Sequence, residues 1–135
     1  AATIAIVPAL VPPPAALPST STGAMEDERL VRQILQRYEA AYEALDARSA
    51  QGVWPAVNAD ALARAFADLS AQELRFDECG VDIRGNAAVA TCRGFVRYVP
   101  KMGRQAPRMD SRQWTFALEK EGPRWLIASA RTTAR

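Results

Sequence analysis

Residues 79–92 read Cys79-Gly80-Val81-Asp82-Ile83-Arg84-Gly85-Asn86-Ala87-Ala88-Val89-Ala90-Thr91-Cys92. Gly85-Asn86 between two strand-like runs predicts a two-residue hairpin loop of the primed type. Counting outward from that loop, Arg84 faces Ala87 and Cys79 faces Cys92. The pairs alternate between hydrogen-bonded and non-hydrogen-bonded, and the count makes the cysteines a non-hydrogen-bonded pair. Their Cα atoms are then expected about 4.5 Å apart, within reach of a disulfide. These are the only two cysteines in the chain. Their register argues for a disulfide and so for an oxidising, extracytoplasmic compartment, periplasm or cell surface. The competing reading is two reduced cysteines packed as small hydrophobes.

Working outward, the pattern has period two from Ser70 onward, with strands expected at about Gln72–Ile83, Ala87–Val99, Arg108–Leu118 and Arg124–Arg131. One defect stands out. Leu74 and Phe76 lie on the opposite parity from Cys79, Val81 and Ile83, so a bulge is expected near Asp77–Gly80. Upstream, Leu30, Val31, Ile34, Leu35, Tyr38, Ala41, Tyr42 and Leu45 form one apolar stripe, a helix starting at the acidic triplet Glu26-Asp27-Glu28 and ending near Ala47. A short helix or turn follows over 49–57, and Asn58 is placed to cap a third helix over 59–69. Helices followed by an antiparallel meander predict an α+β domain, helices packed on a strongly curved sheet.

Length allows one domain, expected over 25–135. Residues 1–24 read as a Pro/Ala-rich linker or arm, because five prolines favour extended polyproline geometry; Ile4, Ile6, Val7 and Leu10 would serve the arm version. The chain begins Ala1-Ala2-Thr3 and reads as a piece of something longer. Charge is polarised: residues 1–92 carry 7 basic and 12 acidic side chains, residues 93–135 carry 10 and 3. That asymmetry is too modest to predict nucleic-acid binding.

The stretches Tyr38-Glu39-Ala40-Ala41-Tyr42-Glu43-Ala44-Leu45-Asp46, Phe66-Ala67-Asp68-Leu69, Trp114-Thr115-Phe116-Ala117-Leu118 and Arg124-Trp125-Leu126-Ile127-Ala128-Ser129 are packing signatures. Together they resemble the nuclear transport factor 2-like superfamily, the cone fold shared with ketosteroid isomerases and polyketide cyclases. The run Cys92 to Lys101 also resembles accessory domains appended to bacterial multidomain proteins, including membrane-anchored kinases. The resemblance implies a cavity between helices and sheet, and a homodimer formed through the open sheet face.

The absence of histidine excludes Ser-His-Asp and Cys-His machinery and histidine-based metal sites. No phosphate-cradling glycine loop exists, and no cofactor or metal is expected. What remains for catalysis is a Tyr/Asp pair of the isomerase kind, from Tyr38, Tyr42, Asp46 and Asp60. Their positions on an apolar stripe or at helix ends are those of packing and capping residues. No catalytic residue is therefore assigned, and a non-catalytic ligand-sensing or protein-interaction role leads; the alternative is a small-molecule isomerase or lyase.

The expected ligand, small and apolar or anionic, would meet Tyr42, Trp54, Arg93, Tyr98, Arg112 and Trp114. Arg93 also faces Glu78 and can close a cross-strand ion pair, and Trp114 shares a face with the core candidates Phe116 and Leu118. The loop from Pro100 to Arg108 is the densest basic feature. With Arg97, its Lys101, Arg104 and Arg108 form a candidate surface for an acidic partner or lipid headgroups; stable membrane attachment is expected only through a parent protein.

Overall fold

The structure, a computed structural model, describes residues 12–134. Among these, three helices precede four strands: α1 (Pro12–Glu43), α2 (Ala47–Val53), α3 (Ala59–Ala67), β1 (Leu69–Arg84), β2 (Ala87–Pro100), β3 (Arg108–Glu121) and β4 (Arg124–Ala134). The strands form one antiparallel sheet in chain order, as a meander of hairpins must. No described helix is long and apolar enough to cross a membrane.

The β1–β2 hairpin has the expected register. Cys79 faces Cys92, the two form a disulfide, and their Cα atoms are 4.1 Å apart. Gly85 takes a positive φ of 63°, the conformation a primed turn asks of its first residue. The bulge falls between Phe76 and Glu78, where Asp77 is the extra residue. Beyond it Phe76 faces Gly94 and Leu74 faces Val96, one residue displaced from the uninterrupted register. That slip returns Leu74 and Phe76 to the same face as Cys79, Val81 and Ile83, so β1 buries one apolar side along its length. Glu39 on α1 holds the bulge, its carboxylate accepting the Phe76 N–H at 2.9 Å. Gly94 is required where the strands close up here: a Cβ on it would lie 1.8 Å from the Arg75 carbonyl oxygen.

The helical stripe packs on that face. Val31, Ile34, Leu35, Tyr38 and Val53 bury against Leu74, Ala90, Cys92, Val96, Trp114, Phe116, Leu118, Trp125 and Ile127. Tyr38 lies edge-on to Phe116 with centroids 5.0 Å apart, and Phe76 edge-on to Trp114 at 4.9 Å.

Three expectations change. First, residues 1–11, with Ile4, Ile6, Val7 and Leu10, lie outside the described residues, but from Pro12 the chain is helical rather than extended. Pro12, Pro13 and Pro14 occupy the first turn, where the missing N–H groups have no intrahelical acceptor in any case. Only Pro18 forfeits an internal bond, among the strong helix formers Ala15, Ala16 and Leu17. Second, α1 therefore does not begin at Glu26-Asp27-Glu28. Gly23 to Glu26 are exposed, and Asp27 instead accepts hydrogen bonds from Lys120 Nζ (3.1 Å) and Trp125 Nε1 (3.2 Å), clasping the helix to the β3–β4 hairpin. Third, α1 stops at Glu43 rather than near Ala47. Leu45 turns through a positive φ of 55°, and Asp46 caps α2 by accepting from the N–H groups of Arg48 and Ser49. Asn58 caps α3 as expected, accepting from Ala61 N–H.

Candidate functional site

Between the helices and the sheet lies a cavity of about 180 Å3. Its wall comes from α1 (Tyr38, Tyr42), the C-cap of α2 (Trp54), β1 (Gln72, Leu74), Val96 of β2, Arg112 and Trp114 of β3, and Ala130 and Thr132 of β4. Each strand contributes from its inward parity, so the composition follows from register. Trp114 faces Thr132 and Arg112 faces Ala134 across β3–β4.

The polar groups are few. Tyr38 is buried and stacks on half-buried Tyr42 with ring centroids 4.3 Å apart. Burial pushes the Tyr38 phenol far above its ordinary value, and Tyr42 beside it adds to the rise. Burial raises Tyr42 as well, partly offset by its hydrogen bond with Tyr38. Both phenols are therefore neutral donors and acceptors, and weak acids. Gln72 donates from Nε2 to the Tyr42 carbonyl at 2.9 Å, joining β1 to the last turn of α1. Arg112, half-buried, pairs with Asp110 at 3.1 Å through one nitrogen. Its guanidinium keeps further donors for a ligand.

Of the residues expected to meet a ligand, the fold brings Tyr42, Trp54, Arg112 and Trp114 to one cavity. Trp114 is also core, buried against Phe76. Arg93 is elsewhere: alternation from buried Cys92 turns it to the outer face, where it lies 3.8 Å from Glu78 in the expected ion pair. Tyr98 has the inward parity, but it packs on the core beside Gln72 and Arg108, outside the cavity wall. Tyr38, Gln72 and Thr132 are lining residues absent from that expected set. Gln72 was readable in principle, because beyond the bulge it shares the parity of Leu74 and Phe76. Thr132 lies past the expected end of β4 and carried no sequence signal.

The carboxylates weighed for catalysis do not reach the tyrosines. Asp46 accepts from the Ser49 hydroxyl at 2.7 Å and from backbone N–H groups, which hold its carboxyl below the usual range. It lines a separate open hollow of about 600 Å3 beside α2 and α3, together with Asp60 of the first turn of α3. No carboxylate lines the cone cavity. No group of three metal-ligating side chains occurs among the described residues. Arg97, Lys101, Arg104 and Arg108 are all exposed on the β2–β3 hairpin.

No family model and no curated protein matches the sequence. Solved structures do match the fold. A protein provisionally described as a dehydratase of the nuclear transport factor 2-like family from Streptomyces avermitilis superposes with TM-score 0.72 at 13% identity, over 82% of this chain and 97% of that one. A provisionally described scytalone dehydratase from Novosphingobium aromaticivorans gives 0.74 at 8% identity, over 85% and 88%. A provisionally described calcium/calmodulin-dependent protein kinase type II association domain from Thiobacillus denitrificans gives 0.62 at 14%, over 77% and 94%. The fold is the nuclear transport factor 2-like cone.

Proposed function

We propose that this cone domain is a non-catalytic binding module that receives a small planar ligand carrying an anionic group, as a sensing part of a larger bacterial protein. The observation that carries this reading is the cavity's composition: an aromatic wall, one half-buried guanidinium and no carboxylate. A wall of Tyr38, Tyr42, Trp54 and Trp114 favours an aromatic ring, and Arg112 at the margin favours an anion over a neutral analogue. The volume is comparable to the roughly 150 Å3 that accommodates one benzene ring. Proton abstraction needs a base within hydrogen-bond reach of the bound atom. Neutral tyrosines with raised pKa do not supply one, and this weighs against an isomerase or lyase despite the dehydratase descriptions of two fold relatives. The Cys79–Cys92 disulfide supports an extracytoplasmic setting. The outer sheet face, with exposed Val89 and half-buried Phe95, is where we place contact with a second copy.

The test is thermal unfolding and calorimetric titration with benzoate and, for comparison, benzyl alcohol. Benzoate is expected to raise Tm and release heat, benzyl alcohol much less, with the difference abolished in Arg112→Ala. No binding of benzoate at millimolar concentration, or binding indifferent to Arg112→Ala, would falsify the anionic-ligand reading.

A further inference from the structure

The β2–β3 hairpin tip is unlike the rest of the surface. Arg97, Lys101, Arg104 and Arg108 are exposed, and none is in an ion pair among the described residues. Two of the few large exposed apolar side chains sit among them, Met102 at 83% and Met109 at 62% exposure. From Arg93 to Met109 the chain carries no acidic residue. The carboxylates at the margin are Asp110, taken up by Arg112; Glu73, which stands opposite Arg97 on β1 and is paired with Arg75; and Asp68, whose backbone carbonyl accepts the Lys101 N–H.

The cations are not on one face. Arg97 and Met109 face each other on the outer parity of the sheet, Arg108 stands opposite Tyr98 on the inner parity, and Lys101 and Arg104 lie in the loop. Gln105 donates from Nε2 to the Lys101 carbonyl across that loop, and Gly103 turns through a φ of 74°. The result is a loop on which exposed Met102 lies between the exposed cations Lys101 and Arg104, with Arg97 and Arg108 on the strands that lead into it. A peptide would need its complementary charges gathered along a groove or one sheet edge, and none of the hollows described above reaches this tip. A plane of negative charge over an apolar layer matches both halves of the arrangement: cations for headgroups, methionines for the boundary with the acyl chains.

We propose that this hairpin tip docks end-on to an anionic lipid bilayer, a contact independent of the cone cavity. The full chain is mixed with vesicles of phosphatidylcholine alone or of equimolar phosphatidylcholine and phosphatidylglycerol, and bound protein is sedimented at low and high salt. Binding to the anionic vesicles alone is expected, weakening as salt shortens the screening length. Each cation near such a surface is worth about fivefold in partitioning. Lys101→Gln with Arg104→Gln should thus weaken binding by roughly 25-fold with Tm unchanged, because both side chains are exposed. Met102→Ser should weaken it several-fold without altering the salt slope, and Arg93→Gln, paired with Glu78 away from the tip, should leave it intact. Failure to bind anionic vesicles at low salt overturns the proposal, as does binding indifferent to the double substitution. Binding to poly-glutamate but not to vesicles, with the same sensitivity, would instead make the tip a protein-docking surface.

Discussion

At the scale of single residues, Asp27 and Gly94 carry more of the architecture than their types suggest. Asp27 links α1 to the β3–β4 hairpin through Lys120 and Trp125. Asp27→Ala removes a charged acceptor and strands the indole N–H, so a loss of about 1–2 kcal/mol is expected in urea unfolding. The hydrogen bond from Lys120, followed by that from Trp125, holds the Asp27 carboxyl below its ordinary value against the opposing effect of burial. A depressed native pKa gives stability that is complete above the unfolded-state value near 4 and is lost as pH falls through the native one. The stability gap between wild type and Asp27→Asn should therefore be constant above about pH 5 and shrink below about pH 4. A gap that widens on acidification would contradict the assignment. Gly94→Ala drives a methyl into the Arg75 carbonyl, and since backbone cannot yield as a side chain does, a cost of about 3 kcal/mol or more is expected. Wild-type stability in that variant would mean the strands separate there.

At the scale of elements, the β1–β2 hairpin and the start of α1 make opposite predictions. The disulfide closes a loop of 13 residues' separation, for which chain entropy sets an upper value of about 3 kcal/mol. Turn-biased structure retained in the unfolded hairpin should reduce it. Replacing both cysteines with alanine is expected to lower the urea midpoint by less than that limit, with the sheet's circular dichroism retained. Alkylation of the folded, oxidised protein should modify neither cysteine. For α1, Gly23 to Glu26 are exposed while Leu30 and Val31 pack on the core. A chain starting at Gly23 should keep Tm within a few degrees while losing helical signal. A large fall in Tm, or loss of an oligomer in sedimentation, would show that the preceding segment packs as an arm.

For the whole molecule, one curved sheet and one long helix create both a closed core and an open cavity margin. Val31, Leu35 and Val53 are buried in the closed core, while the tyrosine pair, Trp54 and Arg112 stand around a space. Because burial raises both tyrosines, neither changes charge in the physiological range. Benzoate affinity should accordingly be flat between about pH 6 and 9. A titration within that window would reveal an ionisable participant outside the wall described here.

Much of this was readable because the deciding forces are local. A tight turn sets register, and register set Cys79 against Cys92; parity alone required the bulge near Asp77, since apolar side chains must share one face. The α+β class followed from the change of period after Ser70, and the cone from the resemblance of the packing stretches to the superfamily. The Arg93–Glu78 pair followed from register too, and the Asn58 cap from one local hydrogen bond. Only the tertiary structure decided the rest. Asp27 reads as a helix-start carboxylate until folding brings Lys120 and Trp125 to it. Asp46 reads as a carboxylate near the end of the first helix, and only the turn at Leu45 makes it the N-cap of the second. Gln72 and Thr132 join the cavity wall, and Arg93 and Tyr98 leave it, because a wall is assembled from six elements at once. The seating of the helices on the sheet determines which side chains share that space, and it leaves no contiguous trace in the chain.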